Sequence, residues 1–190
     1  MYTAVPDPYC YAGSDILKNI PGFRDARRLA QFEAAMTAQR AEEPFPSGRL
    51  SVTHYRAIHR HLFQDIYRWA GQFRRIRIAK DESMFCYPEN ISREMMRLFR
   101  GLREWDHLRG ATRPEFADRA SVFLADLNAI HCFRDGNGRS QLAFMAILAN
   151  RAGLPLKLKR LDPARFLSAM IRSFHGDRDA LIAQIHRLTR

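Results

Sequence analysis

Apolar positions recur with helical spacing along most of the chain, and the residues between them mark where helices start and stop. Residues 24–43 carry Leu29, Phe32, Ala35 and Met36 on one face, with Arg, Gln and Glu on the other, until Pro44-Phe-Pro-Ser-Gly48 ends the pattern. Ser51 is placed to cap a second helix bearing Tyr55, Ile58, Leu62 and Phe63, and Ile66, Tyr67 and Trp69 extend that apolar face to Gly71. Helical spacing resumes over 89–105 with Ile91, Met95, Leu98, Leu102 and Trp105. Thr112-Arg-Pro-Glu115 has the form of a capping box with Pro in the first turn. The helix it opens carries Phe116, Ala120, Phe123, Leu124, Leu127 and Ile130. From about Gly138, Leu142, Ala143, Phe144, Met145, Ile147 and Leu148 make a helix apolar on most sides, which predicts a central, buried element. Asp162-Pro163 opens a last helical region with Phe166, Met170 and Ile171, and Gly176 interrupts it before Leu181, Ile182, Ile185 and Leu188.

Two stretches break this pattern. Phe73-Arg-Arg-Ile76-Arg-Ile78 alternates with period two, and Met84-Phe-Cys-Tyr87 follows before Pro88, so 73–88 is the hairpin candidate. Residues 1–22, with Pro6, Pro8, Gly13, Pro21 and Gly22, read as an extended arm with one short helical turn at Asp15–Asn19. The prediction is one all-α domain spanning 1–190, of about six to eight helices with one short hairpin. At 190 residues and 46% hydrophobic, it can bury a core without disulfides.

Charge widens the field more than it narrows it. Lys and Arg total 31 against 20 Asp and Glu, a net +11, and Lys18, Lys80, Lys157 and Lys159 are the only lysines. An excess of this size favours acidic partners, but it is scattered in short clusters (Arg24–Arg28, Arg74–Arg77, Lys157–Arg160) and comes with no nucleic-acid recognition motif. Nucleic-acid binding therefore ranks last. No apolar run approaches the ~20 residues of a membrane span, and Met1–Asp7 lacks the basic start and apolar stretch of a signal peptide. Three cysteines without CxxC spacing fit a reducing cytosol and exclude a disulfide scaffold.

The chemistry concentrates in His131-Cys-Phe-Arg-Asp-Gly-Asn-Gly-Arg139. Gly136 and Gly138 let the backbone curl with its N–H groups inward, and a helix starts at once, which makes an anion site. Arg139 in the first turn adds a guanidinium suited to phosphate. Asp135 is a hard oxygen ligand beside that site, where a phosphate-bridging Mg²⁺ would want one. His131 can take a proton from an incoming hydroxyl near neutral pH. Taken singly, each feature has a plainer reading: an ordinary turn, a helix C-terminal histidine, a carboxylate capping the next helix. What favours chemistry is their order within nine residues.

This segment resembles the signature of the Fic family, His-x-Phe-x-(Asp/Glu)-Gly-Asn-Gly-Arg-x-x-Arg, at His131, Phe133, Asp135, Gly136, Asn137, Gly138 and Arg139. Asp7-Pro-Tyr through Ser14–Asn19 resembles the N-terminal arm of small stand-alone bacterial Fic toxins. Trp69-Ala-Gly71 resembles the end of the helix before the family's flap, and Ile78–Pro88, with Lys80 and Phe85, resembles the flap itself. The resemblance implies a Fic-type helical fold and transfer of AMP from ATP to a hydroxyl of a target protein. It implies His131 as the base, Asp135 holding Mg²⁺, and Gly136, Asn137, Gly138 and Arg139 holding the phosphates. Phe133 would anchor the loop, and the flap, with Lys80 and Phe85, would register the target by strand addition. It further implies a cytoplasmic toxin restrained by a separate small antitoxin chain, with bacterial topoisomerase subunits among the family's targets.

The chain departs from the signature at its last position, where Leu142 replaces arginine, and Cys132 stands where the family usually has proline. The family's inhibitory pattern, (Ser/Thr)-x-x-x-Glu-(Gly/Asn), is absent: Glu89-Asn90 is preceded by Phe85 at the required spacing. Leu142 motivates the alternative of a catalytically impaired Fic-fold module that binds nucleotide or protein. His59 and His61 do not share a helix face, so they read as structural or surface residues, and Cys132 makes a weak case for a thiol nucleophile.

Overall fold

The computed structural model describes residues 7–80 and 83–190; the side chains of Lys80 and Ser83 lie outside that set. Seven α-helices are formed among the described residues: α1 (Ala26–Glu42), α2 (Val52–Phe63), α3 (Pro88–Glu104), α4 (Arg113–Ile130), α5 (Asn137–Arg151), α6 (Pro163–Phe174) and α7 (Asp179–Thr189). Their starts follow the local signals. Asp25, Ser51 and Asp162 cap α1, α2 and α6 by accepting from the backbone N–H groups of Arg28, His54 and Arg165. Thr112 and Glu115 form the capping box of α4. None of the described helices is long and apolar enough to cross a membrane.

The alternating segment behaves differently from expectation. Among the described residues of this segment, strand pairing is limited to β1 (Ala79–Lys80) and β2 (Ser83–Met84), antiparallel with Ala79 opposite Met84. Residues 73–78 form no strand, although Ile78 O still accepts from Phe85 N–H at 3.4 Å beside that ladder. Their period-two pattern comes from one face turned to the protein and one to solvent, with Arg74 buried and Arg75 and Arg77 exposed. The arm also differs: in place of a helical turn at 15–19, Cys10 and Leu17 pair as an isolated antiparallel bridge and both are buried. Residues 1–6 of the arm lie outside the described set.

The central element is α4, which packs on α3, α5, α6 and α7, while α2 lies between α1 and α5. Helix α5 is less enclosed than its sequence predicts: Phe144, Met145, Leu148 and Ala149 are buried, but Leu142, Ala143 and Ile147 are half-buried along one side. The core where α2, α3, α4 and α5 meet is aromatic. Tyr55, Phe99, Phe123 and Phe144 are joined by ring contacts of 5.3–6.0 Å, and Phe133 enters the cluster from the α4–α5 loop, 5.3 Å from Tyr55. Aromatic pairs in such geometry add ~0.5–1.5 kcal/mol beyond their area. The loop is thereby anchored in the core by its own Phe133.

Tyr55 is fully buried, and its hydroxyl has no hydrogen-bond partner among the described residues. Leaving a buried hydroxyl unpaired costs ~1–3 kcal/mol. Tyr55→Phe keeps every ring contact and removes that cost, so it is expected to raise stability by about 1 kcal/mol in chemical denaturation. A loss of stability would show that the hydroxyl is solvated or bonded in solution.

Candidate active site

The loop 131–136 joins the C-terminus of α4 to the N-terminus of α5 and opens on a cleft of about 1130 Å³. His131, Asp135, Gly136, Asn137, Gly138, Arg139 and Leu142 line one side, and Arg75, Ile76, Arg77, Ile78, Ala79 and Phe85 line the flap side. Six of the eight residues singled out for chemistry from the sequence thus share one cleft wall, and Phe85 faces them. Lys80 ends β1 by its backbone, and its side chain lies outside the described residues.

Gly136 adopts φ +76°, and a Cβ there would stand 2.3 Å from Phe63 Cζ, so this position needs glycine on both counts. The turn is braced from within. Asn137, buried, accepts from Phe133 N–H at 3.0 Å and donates to Phe133 O at 2.9 Å. Its side chain is therefore committed to the loop, and what it can offer a ligand is its backbone N–H. The N–H groups of residues 137–139 find no acceptor within α5 itself, whose first helical bond from this turn is Ser140 N–H to Gly136 O. Asp135 accepts from Gly136 N–H at 2.5 Å and keeps a half-exposed carboxylate at the cleft.

His131 is the C-cap of α4 in the left-handed conformation (φ 46°, ψ 57°), and its N–H returns to Leu127 O. Phe85 stacks on its imidazole at 3.9 Å with 18° between planes, so the flap touches the candidate base directly. Beneath this pair lies Arg74, which the sequence reading passed over as part of a basic cluster. Its buried guanidinium donates to His131 O (2.8 Å), Ile76 O (2.6 Å), Cys86 O (2.6 Å) and Ile130 O (3.3 Å), and its N–H bonds Cys132 O.

Of the structural and surface readings of His59, the structural one holds: it is fully buried between Phe133 (3.8 Å) and Phe63 (4.6 Å). Its Nδ1 accepts from Gly71 N–H at 2.9 Å, which leaves Nε2–H to donate to Asp135 O at 3.0 Å. Burial pushes the imidazole down to about 3, with the Arg139 charge adding to the effect and the bond to Asp135 O opposing it. Cys132 is also buried, and burial raises its thiol far above the ordinary range, so it has no nucleophilic character.

Arg139 lies over Phe63 (4.7 Å to the ring), 3.8 Å from Asp135, and pairs with Glu33 of α1 at 2.5 Å. The other oxygen of Glu33 accepts from the Tyr67 hydroxyl. Arg134 donates to Asp7 of the arm from both Nε and Nη2 at 2.8 Å. Glu33 and Asp7 were legible only as a polar helix face and an arm residue, because their partners lie 106 and 127 residues away in the chain.

Residues 49–149 match the family model described as Fic/DOC. The chain belongs to the Fic/DOC family. This Fic/DOC protein is 52% identical over 188 residues, 98% of both chains, to a Sinorhizobium fredii protein named "Probable protein adenylyltransferase y4lH". It is 36% identical over 177 residues to the Escherichia coli "Probable protein adenylyltransferase Fic", covering 92% of this chain and 88% of that one. Among solved structures, the N-terminal Fic domain of a Bartonella quintana Bep effector with bound ADP superposes with TM-score 0.86 at 28% identity, covering 95% and 93% of the two chains. BepC of Bartonella tribocorum with bound AMPPNP gives 0.85 at 25% identity over 95% of each.

The His59 tautomer carries a pH dependence. Its folded value lies below the ordinary 6.5, so its contribution is complete above about pH 6.5 and is lost as pH falls from there toward 3, where the unfolded chain takes the proton first. The expected loss is about 2 kcal/mol at pH 5 relative to pH 8. His54, which burial also pushes down, adds to the same slope. Denaturant titrations of wild type and His59→Asn between pH 8 and 5 check this: the variant is less stable outright and its pH slope is shallower. An equal slope would place the titration elsewhere.

Proposed function

We infer that this protein transfers AMP from ATP to a hydroxyl side chain of a target protein. The observation that carries the reading is that His131, the α5 N-terminal N–H groups, Asp135 and Arg139 line one cleft roofed by the flap. The names of the relatives support it, as do the nucleotides bound to the two structural neighbours. The target oxygen attacks the α-phosphorus, the bond from that phosphorus to the bridging oxygen breaks, pyrophosphate leaves, and the hydroxyl proton passes to His131. The N–H groups of 137–139 and the Arg139 guanidinium receive phosphate oxygens, which orients the nucleotide and offsets developing charge. Asp135 is the residue to hold Mg²⁺, which would neutralise the phosphates when bound. A single carboxylate fits that ion, since Mg²⁺ with a nucleotide needs one or two protein carboxylates and takes its other ligands from phosphate and water.

The flap would hold the target segment through main-chain hydrogen bonds beside β1 and β2, with Phe85 keeping the imidazole in place and Lys80 at the strand end. The setting we propose is a cytoplasmic toxin held by a separate small antitoxin chain, with a bacterial topoisomerase subunit as the class of target the family resemblance raises. A second reading, a module that binds nucleotide without efficient transfer, is favoured by one observation: Leu142 puts an apolar side chain on the cleft wall where the signature has arginine.

Intact-protein mass spectrometry of a bacterial lysate supplied with ATP and Mg²⁺ tests both. The expected result is a gain of one AMP on a target. His131→Ala is expected to lower that transfer by ~10²–10⁴ with the melting temperature little changed, as for loss of a general base. Undiminished labelling by His131→Ala would remove His131 from the role. Nucleotide binding with no labelled protein under any condition would leave the module reading.

A further inference from the structure

Four arginines line the cleft: Arg75, Arg77, Arg134 and Arg139. Three are already engaged. Arg134 is held by both nitrogens on Asp7. Arg139 shares its charge with Glu33 and Asp135. Arg77 lies over the Tyr87 ring at 4.1 Å and within 3.8 Å of Glu89, turned toward the start of α3. Arg75 differs: among the described residues no carboxylate lies in ion-pair reach of its guanidinium.

Its backbone, by contrast, is tightly held. Arg75 N–H donates to the Tyr9 hydroxyl at 3.1 Å. The preceding Arg74 N–H donates to Cys132 O at 2.9 Å, and the Arg74 side chain is fixed by four carbonyls. Arg74 is buried while Arg75 beside it is exposed, and Arg75 is among the residues that line the cleft. On the α5 side stands Leu142, half-buried, one turn beyond the N–H groups of 137–139. Among the cleft-lining residues of α5, Arg139 is the one cation, and Glu33 and Asp135 share its charge.

We propose that Arg75 supplies, from the flap side, the cation for the distal phosphates of a nucleoside triphosphate that Leu142 does not supply from α5. The proposal rests on the nucleotide reading above. A guanidinium on a fixed backbone offers two parallel N–H donors to a phosphate, and it gives up no existing ion pair to do so.

Calorimetric titration with Mg²⁺-ATP and, separately, with AMP decides it. Arg75→Ala is expected to weaken ATP binding about ten- to hundred-fold, the cost of a charged hydrogen-bond pair, and to leave AMP binding within about two-fold. Arg75→Lys, which keeps the charge and loses the fork, should fall between wild type and Arg75→Ala. Adding Leu142→Arg to Arg75→Ala should recover most of the ATP affinity. If that double variant melts well below wild type, the Arg75 single variants decide alone, since Arg75 is exposed and its removal touches no packed group. Unchanged ATP affinity in Arg75→Ala, or an equal loss for ATP and AMP, would overturn the proposal while the wild-type ATP binding still stood. Wild-type protein that binds no ATP would overturn the functional reading, and this one with it.

Discussion

The site hangs on one buried cation. Arg74 lies at the C-terminus of α4, where the last carbonyls of a helix lack intrahelical partners and the helix dipole presents its negative end. Two of the four carbonyls it binds, those of Ile130 and His131, are of this kind; the other two, of Ile76 and Cys86, belong to the two legs of the flap. Burial works against the charge and lowers its proton affinity, but a guanidinium stays charged at any accessible pH. With four acceptors and a helix end around it, the charge needs no carboxylate. One side chain thus ties the candidate base, the end of the central helix and both legs of the flap into a single unit, and the Phe85–His131 stack is a consequence of that tie.

The loop above Arg74 is held by contacts within the protein itself. Asn137 closes it on Phe133, His59 reaches Asp135 O from α2, and Phe133 sinks into the aromatic core. These contacts hold the loop by bonds on both sides of the Asn137 amide, by both nitrogens of His59 and by a fully buried ring. Groups fixed in advance lower the entropic cost of holding a phosphate and aim their dipoles without waiting for it. The arginines are ordered in the same spirit, two of them by carboxylates from the N-terminal part of the chain.

What the sequence made legible was local. Ser51, Thr112 with Glu115, and Asp162 announce their helices through contacts three residues away, and the apolar spacing of α4 translates directly into its buried face. The nine-residue loop was legible for the same reason: its chemistry is contiguous. The alternation at 73–78 misled because period two reports two unlike faces and says nothing of a partner strand; here the inward face meets the α4 terminus. The expected turn at Asp15–Asn19 gave way to a bridge between Cys10 and Leu17, which buries both. Arg74, His59, Glu33 and Asp7 could not be found by pattern, since each acquires its meaning from a group 57 to 127 residues distant.

The family match begins at residue 49, yet two carboxylates that orient the loop arginines come from before it: Glu33 on α1 and Asp7 in the arm. The matched segment is therefore smaller than the set of residues that hold the loop arginines. Excised at the match boundaries, it would keep His131, the glycine turn and Asp135, and would lose the carboxylates paired with Arg134 and Arg139. The α6 residues on the opposite rim of the cleft, Pro163, Phe166 and Met170, would go with them. The signature is contiguous, while the contacts that order its arginines and close its cleft come from both flanks.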